Sequence, residues 1–380
     1  MFYNNPKEEF VDSQSAIIYR VRFPLIVFIV YLHSSGDLKH PEIPIIQSGL
    51  YDIVQTIISR MVTHSAVPTF FFISGFLMFY GLSNFTKDAY IKKMRNRITR
   101  LLIPYFLWNI IALIISILRI VNDGMSIENA VSSCCRNGFL SCFWVYNTIG
   151  DADIDILGNV THLGVPVDMP LWYLRDLIVM SIISPLFYIC IKKIKLLIVF
   201  IAMSSFLAGF YTNLPGFSSM AIAFYSMGAY FSIMKIDFST FFRKCFMPAI
   251  AIYLFLLLFI LFTYESKSAF LFFPVFRLFG VFVIFGIADR FIRNKQPVLP
   301  PIFPESSFFI YAIHYIFFLS FVDKLISLVL PPSNELTHTL QYLISPAIRI
   351  MIYIVIYILL KKIAPKTAKL LTGISYENKK

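Results

Sequence analysis

Charge is scarce in this 380-residue chain: Asp, Glu, Lys and Arg make up 14% of it, where soluble domains average about 25%. So little polar material could not cover two or three soluble domains, and that class is excluded. Glycine is scarce as well, at 15 residues against 41 Phe and 21 Tyr, which excludes collagen-like repeats and disorder. The five cysteines include no C-x-x-C pair, so a thiolate metal or redox centre is not expected. What the chain holds in abundance is apolar length. Apolar residues make up 58% of it, and the mean hydropathy is +0.74. Long runs of this kind indicate an integral membrane protein built of helices rather than a barrel.

A spanning helix takes roughly 20 mostly apolar residues. Ten segments qualify, at about 17–36, 66–83, 101–120, 171–190, 196–212, 216–234, 246–264, 271–289, 306–328 and 341–363. The expected fold class is therefore all-α, a polytopic bundle of about ten transmembrane helices. The first segment follows a polar stretch and has no small-residue cleavage site, so it reads as an anchor and not a removed signal. Placing the N-terminus in the cytoplasm sorts the net charge of +12. On the inner side fall 24 of the 33 Lys and Arg and 8 of the 21 Asp and Glu, a balance of +16; the outer 9 and 13 give −4. Every second loop thus obeys the positive-inside rule, and both termini are expected to be cytoplasmic. Basic residues dispersed over five loops and a tail argue against nucleic-acid binding. The organisation expected is a cytoplasmic segment at 1–16, a transmembrane domain at 17–363 and a basic cytoplasmic tail at 364–380, with no appended soluble domain.

The longest loop, about 121–170, is expected outside. Asp151, Asp153 and Asp155 alternate there, but the glycine and closing glutamate of a calcium loop are missing, so a solvated acidic loop fits better. Cys134, Cys135 and Cys142 share this loop, where a disulfide is permitted. No metal is expected.

Ionisable groups inside a bilayer are costly and read by default as functional. Arg22 and His33 are eleven residues apart on the first segment, about 16 Å along a helix and about 20° apart around it. The imidazole is either a general base on a hydroxyl or a hydrogen-bonded interior histidine. Asp37 completes an H-x3-D spacing with His33, which chance explains better. Lys93, Arg97 and Arg100 follow i, i+4, i+7 and form a basic face at the cytoplasmic surface. Guanidinium groups grip phosphates bidentately, so this face suits a phosphorylated donor, with anionic lipid as the alternative. Trp172, Tyr173, Arg175 and Asp176 open the fourth segment, and Ser307, Tyr311 and His314 form a polar stripe on the ninth. With Arg277 and Arg349, they are consistent with an outward-facing polar cavity for a hydroxyl-rich acceptor.

Several of these residues also carry a resemblance. Arg22 with His33 resembles the first-helix motif of the membrane acyltransferase-3 superfamily of bacterial O-acyltransferases. Pro68-Thr-Phe70-Phe71-Phe72-Ile-Ser74-Gly75-Phe76 is similar to its second-helix signature, and Arg97-Ile-Thr-Arg100 before Pro104-Tyr105 to its R-x-x-R segment. Leu171-Trp172-Tyr173-Leu174 and Phe309-Ile-Tyr311-Ala-Ile-His314 resemble two further segments, in the same order along the chain. Tyr19 stands where the family often has an acid. The local wording around Arg22 and Arg175 is most similar to stand-alone O-acetyltransferases of surface glycans, such as those acting on enterobacterial common antigen.

The resemblance implies a multi-pass enzyme of the bacterial inner membrane. It would move an acyl group, most often acetyl, from cytoplasmic acyl-CoA to a hydroxyl of a cell-surface or lipid-linked glycan, without a metal. His33 would then be the general base. Arg22, Lys93, Arg97 and Arg100 would bind acetyl-CoA, and Phe72, Ser74 and Gly75 would form the channel wall. Trp172, Tyr173, Arg175, Asp176, Tyr311 and His314 are the acceptor candidates. The expected partners are acyl-CoA, the glycan and the bilayer; a homo-oligomer is compatible with the reading. The alternative is a glycan transporter or flippase without acyl transfer, which would leave the R-x-x-R face without a role.

Overall fold

A computed structural model gives the structure of residues 13–39, 44–154, 160–209, 214–264, 267–317 and 320–374. The chain runs through α1 (Ser13–Leu32), α2 (Leu50–Phe79), α3 (Lys87–Asn122) and α4 (Ile127–Cys134) to an antiparallel hairpin, β1 (Asn147–Ile154) and β2 (Val160–Val165). There follow α5 (Trp172–Ile182), α6 (Ser184–Ile194), α7 (Leu196–Leu207), α8 (Ser219–Ile233), α9 (Phe238–Phe262), α10 (Lys267–Arg293) and α11 (Ile302–Ile313). The chain closes with α12 (Ser320–Val329), α13 (Glu335–Ile363) and α14 (Pro365–Thr372).

The protein is an all-α polytopic membrane protein. Among the described residues, six helices can cross a membrane by length and composition: α1, α2, α3, α9, α10 from Leu271 on, and α13. A seventh span is formed if Met169–Ile182 and α6, bent by 60°, count as one. The bend falls where Pro185 lacks the N–H that would bond the Ser181 carbonyl. Of the other three expected segments, 196–212 and 216–234 are the shorter apolar helices α7 and α8, while 306–328 falls on two helices, α11 and α12, with His314 just past the end of α11.

The differences from expectation have local causes. Helix α1 stops at Leu32 instead of about 36, and residues beyond Ser34 are not helical, so Asp37 does not lie one helical turn above His33. Helix α2 begins at Leu50 and not at 66. Its first half is polar in sequence, yet Asp52, Gln55, Thr56, Ser59 and Thr63 are all buried. Their i, i+3, i+4, i+7, i+11 spacing puts them on one face, where a hydropathy average cannot see them. Helix α3 likewise begins at Lys87, so the basic face lies on a continuous helix and not at the end of a loop. The 121–170 segment is folded, with α4, a single turn at Ser141–Trp144 and the hairpin. Asp155 lies outside the described residues, and all five cysteines are free thiols.

The chain divides into two compact units. The first comprises Met1–Ile73, Met234–Tyr311 and Leu319–Ile354. In it α9 and α10 pair along their length, with Tyr253 stacked on Phe276 at 4.4 Å. Phe72, Phe238, Phe242 and Phe285 form a closed aromatic cluster with centroid separations of 4.9–6.1 Å. The second unit comprises Ser74–Ile233, Ala312–Phe318 and Val355–Lys380. There Gly75 lies directly against the Tyr225 carbonyl, an approach that any Cβ would block. The indole of Trp108 bonds the Leu371 carbonyl at 2.9 Å, which fixes α14 on α3.

Candidate functional site

In the first unit, α1 presents two arginines with different fates. Arg20 is committed, donating to the carbonyls of Gln296 at 2.7 Å and Pro297 at 3.2 Å. Arg22 makes no hydrogen bond or ion pair with the described residues and is half-buried, beside Tyr19. His33 occupies the turn that ends α1, its N–H still bonded to the Ile29 carbonyl at 3.3 Å. It therefore sits at a helix terminus, not in the middle of a span, and is half-buried.

The segment after His33 is fastened to α2. Gln55 donates to the Gly36 carbonyl at 2.9 Å, and Arg60 donates to the same carbonyl at 3.1 Å. The Lys39 N–H donates to Asp52 at 2.9 Å, and its ammonium pairs with Glu335 at 2.9 Å. Tyr51, Tyr31 and Tyr342 surround this segment edge-on, with ring centroids 6.1 Å apart for both the Tyr31–Tyr342 and Tyr51–Tyr342 pairs. None of the polar residues in the first half of α2, Asp52 to His64, is a candidate from the sequence. The signal that could have found them is the helical spacing of the buried stripe. Phe72 belongs to the four-ring cluster and is fully buried. Tyr311 is buried at the end of α11.

In the second unit, the structure brings together Ser74, Gly75, Lys93, Arg97 and Tyr173. Arg97 donates to the Ser74 carbonyl at 3.0 Å and to its hydroxyl at 3.3 Å. Lys93 donates to the carbonyls of Leu77 at 2.9 Å and Tyr80 at 3.1 Å, capping the end of α2. Arg97 also acts electrostatically on Tyr173 and Tyr225. A π-turn at Ile98–Leu102 inserts a residue into the register, so Arg100 is displaced from the face shared by Lys93 and Arg97. Its guanidinium has no hydrogen bond or ion pair among the described residues and is half-buried.

Trp172 opens α5 and is half-buried. Arg175 and Asp176 are 1% and 0% exposed. Arg175 donates twice to Asp176 Oδ1, at 2.9 and 3.1 Å, and to the carbonyls of Trp144 at 2.7 Å and Gly164 at 2.8 Å. Asp176 also accepts from the N–H groups of Gly216 and Ser218. The pair ties α5 to the hairpin and to the loop before α8, and protein groups take up its polar atoms. His314 is buried in the same unit. Outside the spans, Asp168 is buried and neither carboxyl oxygen has a hydrogen bond; burial pushes its pKa well above the usual carboxylate range. In the 121–170 segment, burial beside Cys135 pushes the Cys142 thiol up to about 11, so it is no ready nucleophile. Among the described residues no group of His, Cys, Asp and Glu could hold a metal ion.

A family model described as an acyltransferase domain matches residues 20–361. No curated protein and no solved structure matches the chain.

Proposed function

Because the chain belongs to the acyltransferase-3 family and is thus a membrane acyltransferase, we propose that it takes an acetyl group from cytoplasmic acetyl-CoA and transfers it to a hydroxyl of a cell-surface or lipid-linked glycan. The observation that carries this reading is the family match over residues 20–361, which spans both the Arg22–His33 pair and the basic face of α3. Group transfer is favoured over bare transport by the same match. Within the first unit, His33 takes the proton from the acceptor hydroxyl as it attacks the thioester carbonyl, and Arg22 steers the anionic donor. A helix terminus suits a base, since the imidazole there keeps contact with solvent and can return the proton.

Within the second unit, Arg100 is the first contact for the CoA phosphates, because its guanidinium is uncommitted. Arg97 and Lys93 hold the end of α2 in place and supply positive potential from behind. The attacking oxygen forms the ester bond, the C–S bond breaks, and CoA leaves as the thiol. Positive-inside loops support an inner-membrane orientation with the donor side in the cytoplasm. The acidic 121–170 segment and the acceptor would then be outside. Resemblance of the Arg22 and Arg175 segments to O-acetyltransferases of surface glycans supports the choice of acceptor.

Purified protein in detergent, titrated with acetyl-CoA, tests the assignment. His33→Ala should keep donor binding and lose about 10²–10⁴-fold in turnover, the usual contribution of a general base. Arg100→Ala should weaken donor binding by about tenfold or more, as loss of a charged hydrogen bond does. Wild-type protein that neither binds nor turns over acetyl-CoA would overturn the donor assignment, and equal behaviour of all three proteins would overturn the roles.

A further inference from the structure

The first unit contains a second cationic cluster that the donor chemistry does not use. Arg277 of α10 is 9% exposed. Among the described residues its one hydrogen bond goes to His64 Nδ1 at 3.4 Å, and its Nε is buried without a partner. An arginine N–H can only donate, so His64 accepts at Nδ1 and carries its proton on Nε2. Arg60 lies one turn before His64 on α2 and acts on it electrostatically. The Nε of Arg60 is also buried without a partner, and so is the hydroxyl of Thr56 one turn further back. Neither arginine has an ion pair among the described residues. Asp52 and Glu335, the nearby buried or half-buried acids, are engaged by the Lys39 N–H, the Lys39 ammonium and the Tyr51 N–H.

A buried guanidinium and a half-buried one beside an imidazole, with no ion pair among the described residues, are costly unless an anion completes them. The backbone here is irregular, a π-turn at Thr56–Met61 followed by a 3-10 turn at Val62–Ser65, and such breaks recur at functional sites. Arg60 also holds the Gly36 carbonyl, three residues beyond His33.

We propose that Arg60 and Arg277, with the Thr56 hydroxyl, form an oxyanion subsite for a carboxylate or phosphate carried by the acyl acceptor. It rests on the acyl-transfer reading for the identity of that ligand. The guanidinium forks bind the oxyanion bidentately. Their place beside the Gly36 segment sets the acceptor's anionic group close to the turn that carries His33. An acidic sugar and a lipid-linked sugar phosphate share this chemistry.

The test is the melting temperature of the full-length protein in neutral detergent, with four probes: glucuronate against glucose, and a polyprenyl phosphate against the parent polyprenol. A rise with glucuronate alone identifies an acidic sugar; a rise with the polyprenyl phosphate alone identifies a lipid-linked acceptor. In either case the affinity should fall by about 10- to 100-fold in Arg277→Gln and in Arg60→Gln, and Arg277→Lys should retain part of it. Should Arg277→Gln not fold, Arg60→Gln and the wild-type probes decide alone. The subsite is overturned if neither anion exceeds its neutral partner, or if the rise survives both glutamine variants. The probes require no donor, and acetyl-CoA turnover by the wild type is measured beside them. Oxyanion binding without turnover would sink the acyl-transfer reading and leave the subsite standing.

Discussion

Arg175 and Arg277 are both buried arginines, 1% and 9% exposed, and they are held in opposite ways. Within the second unit, Arg175 has a carboxylate, two carbonyls and the Trp144 ring 5.5 Å from its charge. Within the first, Arg277 has one long bond to an imidazole and the Phe273 ring at 5.9 Å. In the sequence Asp176 adjoins Arg175 while no acid adjoins Arg277, but spacing alone does not show how many partners each receives. The difference lies in what the fold brings to them. A buried charge with a full set of partners is architecture, because nothing remains to bind a ligand. A buried charge left short of partners is where a ligand of opposite sign belongs.

The largest expected effect breaks the Arg175 network. Arg175→Ala or Asp176→Ala leaves an uncompensated buried partner and should cost about 3–5 kcal/mol. Thermal unfolding in detergent, followed by near-ultraviolet circular dichroism, reads this as a large fall in melting temperature. Arg175→Met combined with Asp176→Leu should cost less than either single change, because no charge is stranded. Arg277→Met should stay within about 1 kcal/mol of the wild type, or gain, since it removes a charge that lacks a partner. If Arg277→Met is as damaging as Arg175→Ala, the contrast between the two arginines is wrong.

A smaller effect sharpens the comparison without touching a charge. Gly216 donates its N–H to Asp176 at 3.0 Å from a backbone with φ of +94°. Gly216→Ala forces a side chain into that conformation, at about 1–2 kcal/mol, and presses its Cβ on Val179 and Trp144. The melting temperature should fall by less than for Arg175→Ala. No change at all would mean that the Gly216 bond contributes nothing to holding Asp176.

Much of the fold was legible because lipid makes apolar length a direct signal. Helix α9, whose most apolar window has a mean hydropathy of 2.7 and is 22% buried, faces its apolar side chains outward and is conspicuous. Helix α2, at 1.5 and 72% buried, hides its polar face inside the protein, and its first sixteen residues fall outside the span expected at about 66–83. The same averaging concealed the α3 extension that carries Lys93 and Arg97. Of the candidate site, residue types and order were legible, but bonding was not. Lys93, Arg97 and Arg100 look equivalent at i, i+4, i+7, and only the π-turn and the carbonyls at the end of α2 separate the committed pair from the uncommitted one. Arg60 and His64 were invisible as a pair with Arg277 because their proximity is set by tertiary packing between distant helices.

Asp168 puts the same distinction to the test with the opposite sign and the smallest expected effect. Asp176 accepts from Arg175, Gly216 and Ser218, whereas both oxygens of Asp168 are buried with no bond to the described residues. Burial raises its pKa well above the usual carboxylate value. An unfolded chain gives up this proton near pH ~3.9, while the folded protein retains it. Stability therefore falls as pH climbs from that value through the folded pKa, and levels off above it, by about 1.4 kcal/mol for each unit of separation. Asp168→Asn keeps the shape and removes the titration. Its melting temperature should match the wild type near pH ~4 and exceed it increasingly toward neutral pH. A difference that stays flat across that range would show that the carboxyl ionises alike in both states. Asp168 would then need a charge-stabilising partner in the folded state, as Asp176 has in Arg175.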